Sequence, residues 1–136
     1  MDAERDMNER AVTFLLPLPP STNNLFHNSG RGGRRKTKNY RQWIERAGWE
    51  LARQHPLPVT GSPVGVSIRL RRPNKQSDLD NRAKAVLDLL VTHRLISDDR
   101  DVSELHMYWE PIEGPLGCRV SIYPTEGTTN DAEAAA

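Results

Sequence analysis

The sequence predicts a fold of the α/β (α+β) class in two layers, with two main helices packed on a mixed β-sheet in the order β-α-β-α-β-β. Three observations predict it. The segment VGVSIRLRR, residues 64–72, alternates apolar and polar side chains, which is the period of a half-buried strand. Residues 39–54 and 80–95 instead repeat their apolar positions every three or four residues, as amphipathic helices do. A length of 136 residues fits a single domain in which such elements form layers.

The first strand is predicted at residues 11–17, AVTFLLP, where an apolar run ends at a proline. The next 21 residues, 18–38, have no apolar period and are rich in Pro, Ser, Asn, Gly and basic side chains. An irregular stretch of this length inside a compact domain is commonly a functional or mobile loop. We therefore expect residues 18–38 to be irregular and functional.

The first helix is predicted at residues 39–54, with Asn39 as its N-cap. Trp43 and Trp49 are six positions apart on it and therefore fall on different faces. One of them is expected in the core and the other at a dimer or partner surface. Prolines and a glycine after residue 55 end the helix before the strand that begins at Val64.

The second half of the chain is predicted to contain a helix and two strands. The helix, roughly residues 80–95, carries an apolar stripe made of Ala83, Val86, Leu87, Leu90 and Leu95. The remaining elements are a polar link at 73–79, a turn at 96–101, a strand at 102–110, a turn at 111–117 and a strand at 118–123.

The net charge of +1 conceals an uneven distribution of charge. Residues 1–10 carry four acidic side chains and residues 125–136 carry three, whereas residues 11–124 hold 17 Lys and Arg against 11 Asp and Glu. The composition predicts a flexible acidic N-terminal extension at 1–10, a folded domain at 11–124 and a disordered tail at 125–136.

Two basic clusters lie within this domain. The loop cluster includes Arg34, Arg35, Lys36 and Lys38, and the strand cluster includes Arg69, Arg71, Arg72 and Lys75. Basic clusters beside a compact set of acids suggest a polyanionic partner. Either cluster, taken alone, is also compatible with a role in solubility only.

Several classes of protein are excluded or disfavoured by composition. A single cysteine, Cys118, excludes an intrachain disulfide framework and a thiolate zinc site, and it is expected to be a core thiol. No apolar run approaches the roughly 18 residues of a membrane span, and the N-terminus lacks a signal peptide pattern, so a cytoplasmic location without membrane contact is expected. The basic loop lacks a Walker pattern, which argues against a nucleotide cofactor.

Acidic residues concentrate around the second predicted helix. Asp78 and Asp80 are two positions apart at its start, where extended chain would point both carboxylates to one side. On the helix, Asp80, Lys84 and Asp88 form one stripe, which is also what ordinary surface ion pairs would give. The pair Asp98-Asp99 follows the helix, and convergence with the first pair requires the chain to fold back along the sheet.

The motifs D-L-D-N-x-x-K-x-x-x-D at 78–88, I-S-D-D-x-x-V at 96–102 and L-P-L-P-P-S-T-N-N at 16–24 together resemble the RusA family of Holliday junction resolvases. The resemblance extends from about Phe14 to Tyr123. It implies a small homodimeric endonuclease, of a kind often encoded by phages, that needs a divalent metal ion and nicks four-way DNA junctions symmetrically. It also implies that the acids gather in one site.

Carried over by motif position, the resemblance assigns the catalytic aspartates and metal ligands to Asp78, Asp80 and Asp99, and the functional lysine to Lys84. Asn81 matches the motif asparagine, and the expected ion is Mg²⁺ or Mn²⁺. The expected DNA contacts are Asn81, Arg34, Arg35, Lys36, Lys38, Arg71, Arg72 and Lys75. The near-site candidates are Ser21, Asn23, Asn24, Asp88 and Asp98.

The sequence therefore predicts a metal-dependent, structure-selective endodeoxyribonuclease that resolves Holliday junctions in the cytoplasm of a bacterium or a phage-infected host. Four-way junction DNA and a second copy of the chain are its expected partners, because two symmetric nicks need two sites related by a two-fold axis. Two alternatives stay open: a branched-DNA-binding module without cleavage, and a hydrolase of small phosphoesters.

Overall fold

A computed structural model describes residues 10–28, 30–61 and 63–125 of the chain. Within these ranges, the regular elements are β1 (Val12–Leu16), β2 (Phe26–Asn28), β3 (Arg34–Lys36), α1 (Lys38–Gln54), β4 (Val64–Leu70), α2 (Ala83–Thr92), β5 (Val102–Trp109) and β6 (Cys118–Pro124). Short 3₁₀ turns lie at Thr22–Asn24, Gly30–Gly32, Asp80–Arg82 and Asp99–Asp101. The mixed α/β class with a sheet and two helices is as predicted. The predicted acidic extension and C-terminal tail lie outside the described residues, except for Arg10 and Thr125.

Four strands form the main sheet in the order β1-β6-β4-β5. The neighbours β1 and β6, and β6 and β4, are antiparallel, whereas β4 and β5 are parallel and are joined through α2. A parallel pair needs such a crossover because the connection must bring the chain back to the end of the sheet where the first strand began. The register pairs Val64 with Val102, so β5 begins at the end of the sheet where β4 also begins.

The predicted element order lacked two strands. Residues 18–38 are not a wholly irregular loop, because β2 and β3 pair antiparallel as a separate two-stranded sheet within them. The hairpin is stabilised in part by the Arg34 guanidinium, which lies 4.5 Å from the centroid of the Phe26 ring. Each strand has only three residues and β3 consists of basic side chains alone, so neither shows the apolar alternation by which a strand is predicted from sequence.

The core lies between the sheet and the two helices. In β4, Val64, Val66, Ile68 and Leu70 are all buried, as the alternation predicts. From α1, the residues Tyr40, Trp43, Ala47 and Leu51 pack into the same core. Trp43 is 5% exposed and Trp49 is 71% exposed, which confirms that the two indoles occupy different faces.

The helix α1 begins one residue earlier than predicted, and Thr37 rather than Asn39 is its N-cap. The Thr37 hydroxyl accepts a hydrogen bond from the Tyr40 amide at 3.1 Å and donates one to the Asn24 carbonyl at 2.6 Å. A cap that also binds the preceding turn fixes the angle at which the chain enters the helix. Asn39 therefore lies in the first turn of the helix, where its side chain is exposed.

The helix α2 is shorter than predicted. Its predicted start is a 3₁₀ turn, and it ends before His93 because Arg94 adopts a left-handed conformation with φ of 57°. Its buried residues are Ala85, Val86, Leu89 and Leu90, whereas the predicted stripe contained Ala83 and Leu87, which are half-buried at its border.

Cys118 is fully buried on β6, an interior strand of the sheet. Burial raises the pKa of its thiol to about 12, so the group stays protonated at neutral pH and is a core thiol as expected. Across the described ranges, neither helix combines the length and apolar character that a membrane crossing needs.

Candidate functional site

The first acidic group lies in the link between β4 and α2. Asp78 and Asp80 are both exposed, and the Asn81 side-chain amide lies 3.4 Å from a carboxylate oxygen of Asp78. Among the described residues, the Asp80 carboxylate forms no hydrogen bond or ion pair with another part of the chain. Both carboxylates therefore have oxygen atoms available for a ligand.

The segment after β1 fixes this acidic turn through two hydrogen bonds. The Thr22 hydroxyl donates to the Asn81 carbonyl at 2.9 Å, and the Arg82 guanidinium donates to the Pro19 carbonyl at 2.6 Å. The P-P-S-T-N-N motif is thus close to D-L-D-N in the structure. Thr22 and Arg82 were missed by the sequence analysis, because their contacts depend on how the two motifs approach in space.

The three near-site candidates of this segment have different surroundings. The Asn24 side-chain amide donates to the Ser21 hydroxyl at 3.1 Å, so this pair stabilises the turn itself. Asn23 is exposed between them. The structure therefore places Ser21, Asn23 and Asn24 beside the acidic turn, while Thr22 makes the direct contact.

The charged stripe of α2 forms only in part. The Lys84 ammonium lies 3.3 Å from a carboxylate oxygen of Asp88, in an ion pair whose side chains are 51% and 40% exposed. No ion pair joins Asp80 to Lys84 in the described part of the chain. Because the pair is this exposed, solvent screens it and it adds little to stability. Lys84 is therefore free to exchange Asp88 for an anionic ligand.

The second acidic group precedes β5. Asp98 caps the 3₁₀ turn, accepting from the Arg100 amide at 3.0 Å, and it also pairs with the Arg100 guanidinium at 3.0 Å. These hydrogen bonds hold the pKa of the Asp98 carboxyl well below its usual range. The pKa of Asp99 is raised by a hydrogen bond with Asp98, by burial and by the negative charges of Asp98 and Asp88.

Asp99 and Asp88 line one cavity of about 390 Å³ between the hairpin, α1 and α2. Lys36, Phe26 and Tyr40 line the same cavity. Burial, followed by the charge of Asp88, raises the pKa of the Tyr40 hydroxyl, which therefore stays protonated at neutral pH. The structure thus brings together Asp88, previously only a near-site candidate, the predicted ligand Asp99 and the predicted DNA contact Lys36.

The two acidic groups are at opposite ends of α2, which is about 15 Å long for its ten residues. The strand after Asp99 does pair with β4, but the pairing is parallel, so the two groups are not juxtaposed by it. Within residues 10–28, 30–61 and 63–125, no three Asp, Glu, His or Cys side chains are grouped to hold one ion. The chain does not gather Asp78, Asp80 and Asp99 in this structure.

The loop cluster surrounds a second cavity of about 560 Å³. It is lined by Phe26, His27, Arg34, Arg35, Lys36 and Arg41. None of these residues is acidic, and Phe26 and Lys36 also line the acidic cavity. Lys38 is exposed at the start of α1. A basic surface therefore leads directly into the cavity that holds Asp88 and Asp99.

The strand cluster divides into exposed and engaged residues. Arg71 donates to the carbonyl groups of Ile112 and Gly114 at 2.7 and 2.6 Å, and so holds the loop before β6. Arg72 and Lys75 are exposed, and the Arg72 guanidinium donates to the Lys75 carbonyl at 2.9 Å and lies 5.6 Å from the Trp109 ring centroid. Arg69 has an acidic neighbour, with Glu110 at 3.6 Å. Arg72 and Lys75 are thus the members of this cluster available to a partner.

Comparison with known proteins identifies a family that covers most of the chain. Residues 17–123 match the family described as Endodeoxyribonuclease RusA. A protein of Aquifex aeolicus (strain VF5) named "Crossover junction endodeoxyribonuclease RusA" is 27% identical over 117 residues, which cover 85% of this chain and 93% of that protein. The family match contains both acidic groups, the hairpin and both helices.

Proposed function

The chain belongs to the endodeoxyribonuclease RusA family, and we propose that it resolves Holliday junctions by metal-dependent, paired and symmetric nicks in DNA. Its place would be the cytoplasm, and its substrate a four-way junction. Similarity to a crossover junction endodeoxyribonuclease over 85% of the chain supports the substrate class.

One structural observation carries the proposal. The basic cavity of the hairpin and the acidic cavity of Asp88 and Asp99 share Phe26 and Lys36 in their walls. A DNA backbone needs cations along its path, whereas carboxylates at the point of cleavage repel it unless a cation intervenes. A basic approach that ends at carboxylates is the arrangement expected for a nuclease that uses a divalent cation.

The donor chemistry fits Mg²⁺ or Mn²⁺, since both ions prefer carboxylate oxygens. Asp78 and Asp80 would hold the ion with oxygens that the chain leaves available. The family motif gives Asp99 the same role, but in this structure Asp99 lies at the other end of α2, so Asp78 and Asp80 are the described part of the proposed ion site. When bound, the ion would supply Lewis-acid polarisation of the scissile phosphate.

The basic side chains have separate roles in this proposal. Lys84, between the two acidic groups on α2, would leave Asp88 and neutralise charge that develops on the phosphate. Lys36 would hold the backbone at the entrance of the acidic cavity. Arg34, Arg35 and Lys38 would contact phosphates along the junction arms, and Arg72 and Lys75 would contact the strand near Asp78.

Symmetric nicking also requires a homodimer, because each nick needs a site of its own and the two strands are related by a two-fold axis. Light scattering at micromolar concentration tests this requirement. A monomer that remains monomeric on junction DNA would contradict symmetric resolution.

The decisive experiment compares three substrates with and without Mg²⁺: a synthetic four-way junction, linear duplex of the same sequence and a small chromogenic phosphodiester. We expect metal-dependent cleavage of the junction alone, giving two nicked duplexes. Binding of the junction without cleavage in Mg²⁺ or Mn²⁺ would identify a DNA-binding module instead. Turnover of the small ester with no preference for the junction would identify a small-phosphoester hydrolase.

A further inference from the structure

A further cleft lies outside both acidic groups. It has a volume of about 700 Å³ and lies between α1, the Leu18–Pro20 segment and Arg82. Leu18, Pro19 and Trp43 supply its apolar surface, and the Trp43 indole is fixed by a hydrogen bond to the Pro17 carbonyl at 2.8 Å. The cleft is therefore an ordered feature whose floor belongs to the core.

One wall of the cleft is a stripe along α1 that the core does not use. Asn39, Gln42, Arg46 and Trp49 are three, four and three positions apart, so they lie on one face of the helix. All four are exposed, and Trp49 is 71% exposed although it is a large apolar side chain. This stripe therefore offers an exposed indole face beside two amides and a guanidinium.

These side chains match the chemistry of a nucleobase. An indole face stacks on any base, and amide and guanidinium groups hydrogen-bond to base edges. A phosphate would be a poorer occupant, because Glu45 also lines the cleft and places a negative charge there. The mixture of apolar surface and amides favours a flat heterocycle over an anion.

The cleft adjoins the acidic turn. Arg82 lines the cleft and is two residues from Asp80, and its guanidinium donates a hydrogen bond to the carbonyl of Pro19, another lining residue. The Arg82 Nε atom is buried without a hydrogen-bond partner. A strand whose phosphate lies at Asp78 and Asp80 would therefore have a neighbouring nucleotide next to the cleft.

We propose that this cleft receives one unstacked nucleobase beside the scissile phosphate, with its ring on Trp49 and its edge against Gln42 and Arg46. This inference rests on the proposed function and adds a base-binding subsite to it. Bases near the crossover of a junction are easier to unstack than those within a duplex arm, so the subsite would favour branched DNA. It would also make cleavage depend on the identity of that base.

The test is a double-mutant cycle between the protein and the DNA. Junctions carrying one abasic residue at successive positions around the cut are bound by the wild type, Trp49→Ala and Trp49→Phe. At one position the missing base should weaken wild-type binding by roughly 5- to 150-fold, the range expected for one stacked base. Trp49→Ala should bind the intact junction more weakly than the wild type by the same factor, and removing the base at that position should not weaken its binding further. Trp49→Phe should retain most of the wild-type sensitivity to the missing base.

Leu57→Ala is the matched control, because Leu57 is 73% exposed and does not line the cleft. Stacking should also quench tryptophan fluorescence on junction binding more strongly in the wild type than in Trp49→Phe, in which the buried Trp43 and the half-buried Trp109 remain. The subsite would be overturned if the Trp49→Ala change and the missing base weakened binding additively, or if Trp49→Ala bound the junction normally. In either case junction cleavage by the wild type would leave the proposed function standing. A wild type that neither binds nor cleaves junctions would contradict the proposed function, and the subsite with it.

Discussion

At the scale of single residues, Asp80 offers the sharpest test of the chemistry. Asp80→Asn preserves size but removes one ligand charge, so we expect single-turnover cleavage to fall by at least about 10²-fold. Junction binding without metal should persist or tighten, because one negative charge near the phosphate is gone. Gel-shift assays without metal and cleavage assays across a Mg²⁺ titration measure the two effects.

The control for Asp80→Asn is Glu113→Gln, which removes an exposed carboxylate from the loop before β6. Thermal unfolding should be unchanged in both variants, since the chain gives the Asp80 carboxylate no hydrogen bond or ion pair within its described residues. Joint loss of junction binding, cleavage and thermal stability in Asp80→Asn would make Asp80 a folding residue.

Arg71 and Arg72 are neighbours in the chain with different predicted effects. Arg71→Ala removes two hydrogen bonds from a charged donor to loop carbonyls, so we expect the free energy of unfolding to fall by about 1–3 kcal/mol. Arg72→Ala should leave stability unchanged and lower the slope of log affinity against log salt by roughly 0.9. Urea denaturation and salt titrations of junction binding separate the two. If Arg71→Ala had normal stability and a reduced salt slope, Arg71 would be a DNA contact and not a residue that holds the loop.

At the scale of secondary structure, the hairpin places adjacent residues in different settings. Arg35 lines only the basic cavity, whereas Lys36 also lines the acidic one. We expect Arg35→Ala to lower the salt slope by roughly 0.9 with an unchanged single-turnover rate at saturating protein. Lys36→Ala should lower the slope similarly and also slow cleavage, by up to the order of 10²-fold, because a phosphate at the cavity is then misplaced. Equal single-turnover rates in the two variants would show that the hairpin only docks DNA.

The same elements show how far the sequence was predictive. Strands β1, β4 and β6 and both helices each bury apolar side chains in a common core, and those side chains predict them. Strand β5 was also predicted, although none of its residues is fully buried. The hairpin does not, since its stability comes from strand pairing and from the contact of Arg34 with Phe26. Residue preference at helix starts also predicts the wrong N-cap, Asn39. Thr37 takes this position and is held there by a second hydrogen bond, to the Asn24 carbonyl.

For the candidate site, the sequence motif proposes residues and leaves their geometry open. The motif identifies Asp78, Asp80 and Asp99 as chemistry-bearing carboxylates. Their spacing in the fold depends on the direction of the β4–β5 pairing and on the length of α2, which are tertiary properties. The proximity of Lys36 to Asp99 likewise depends on where the hairpin packs, and no local pattern encodes it.

At the scale of the whole molecule, paired nicking requires two competent subunits. Mixing the wild type with an excess of tagged Asp80→Asn and purifying the mixed dimer should give an enzyme with one active site. We expect this dimer to nick one strand of a four-way junction and to accumulate nicked, unresolved junctions, because the second cut needs the inactive site. A denaturing gel counts the nicks, and a native gel counts the resolved products. If the mixed dimer resolved junctions fully at the wild-type rate, each subunit could not be responsible for cutting one strand.

The buried thiol of Cys118 gives the molecule a natural reporter. Its strand, β6, is hydrogen-bonded on both sides, by β1 and β4, so an alkylating reagent reaches the sulfur only when the sheet opens. The raised pKa of the thiol slows the reaction further, since the thiolate is the reactive form. Because Cys118 is the single cysteine in the chain, alkylation measured by mass reports the opening of the main sheet with no engineered label. A second cysteine placed on the surface, for example on the hairpin, would carry a fluorophore selectively while Cys118 stays unmodified.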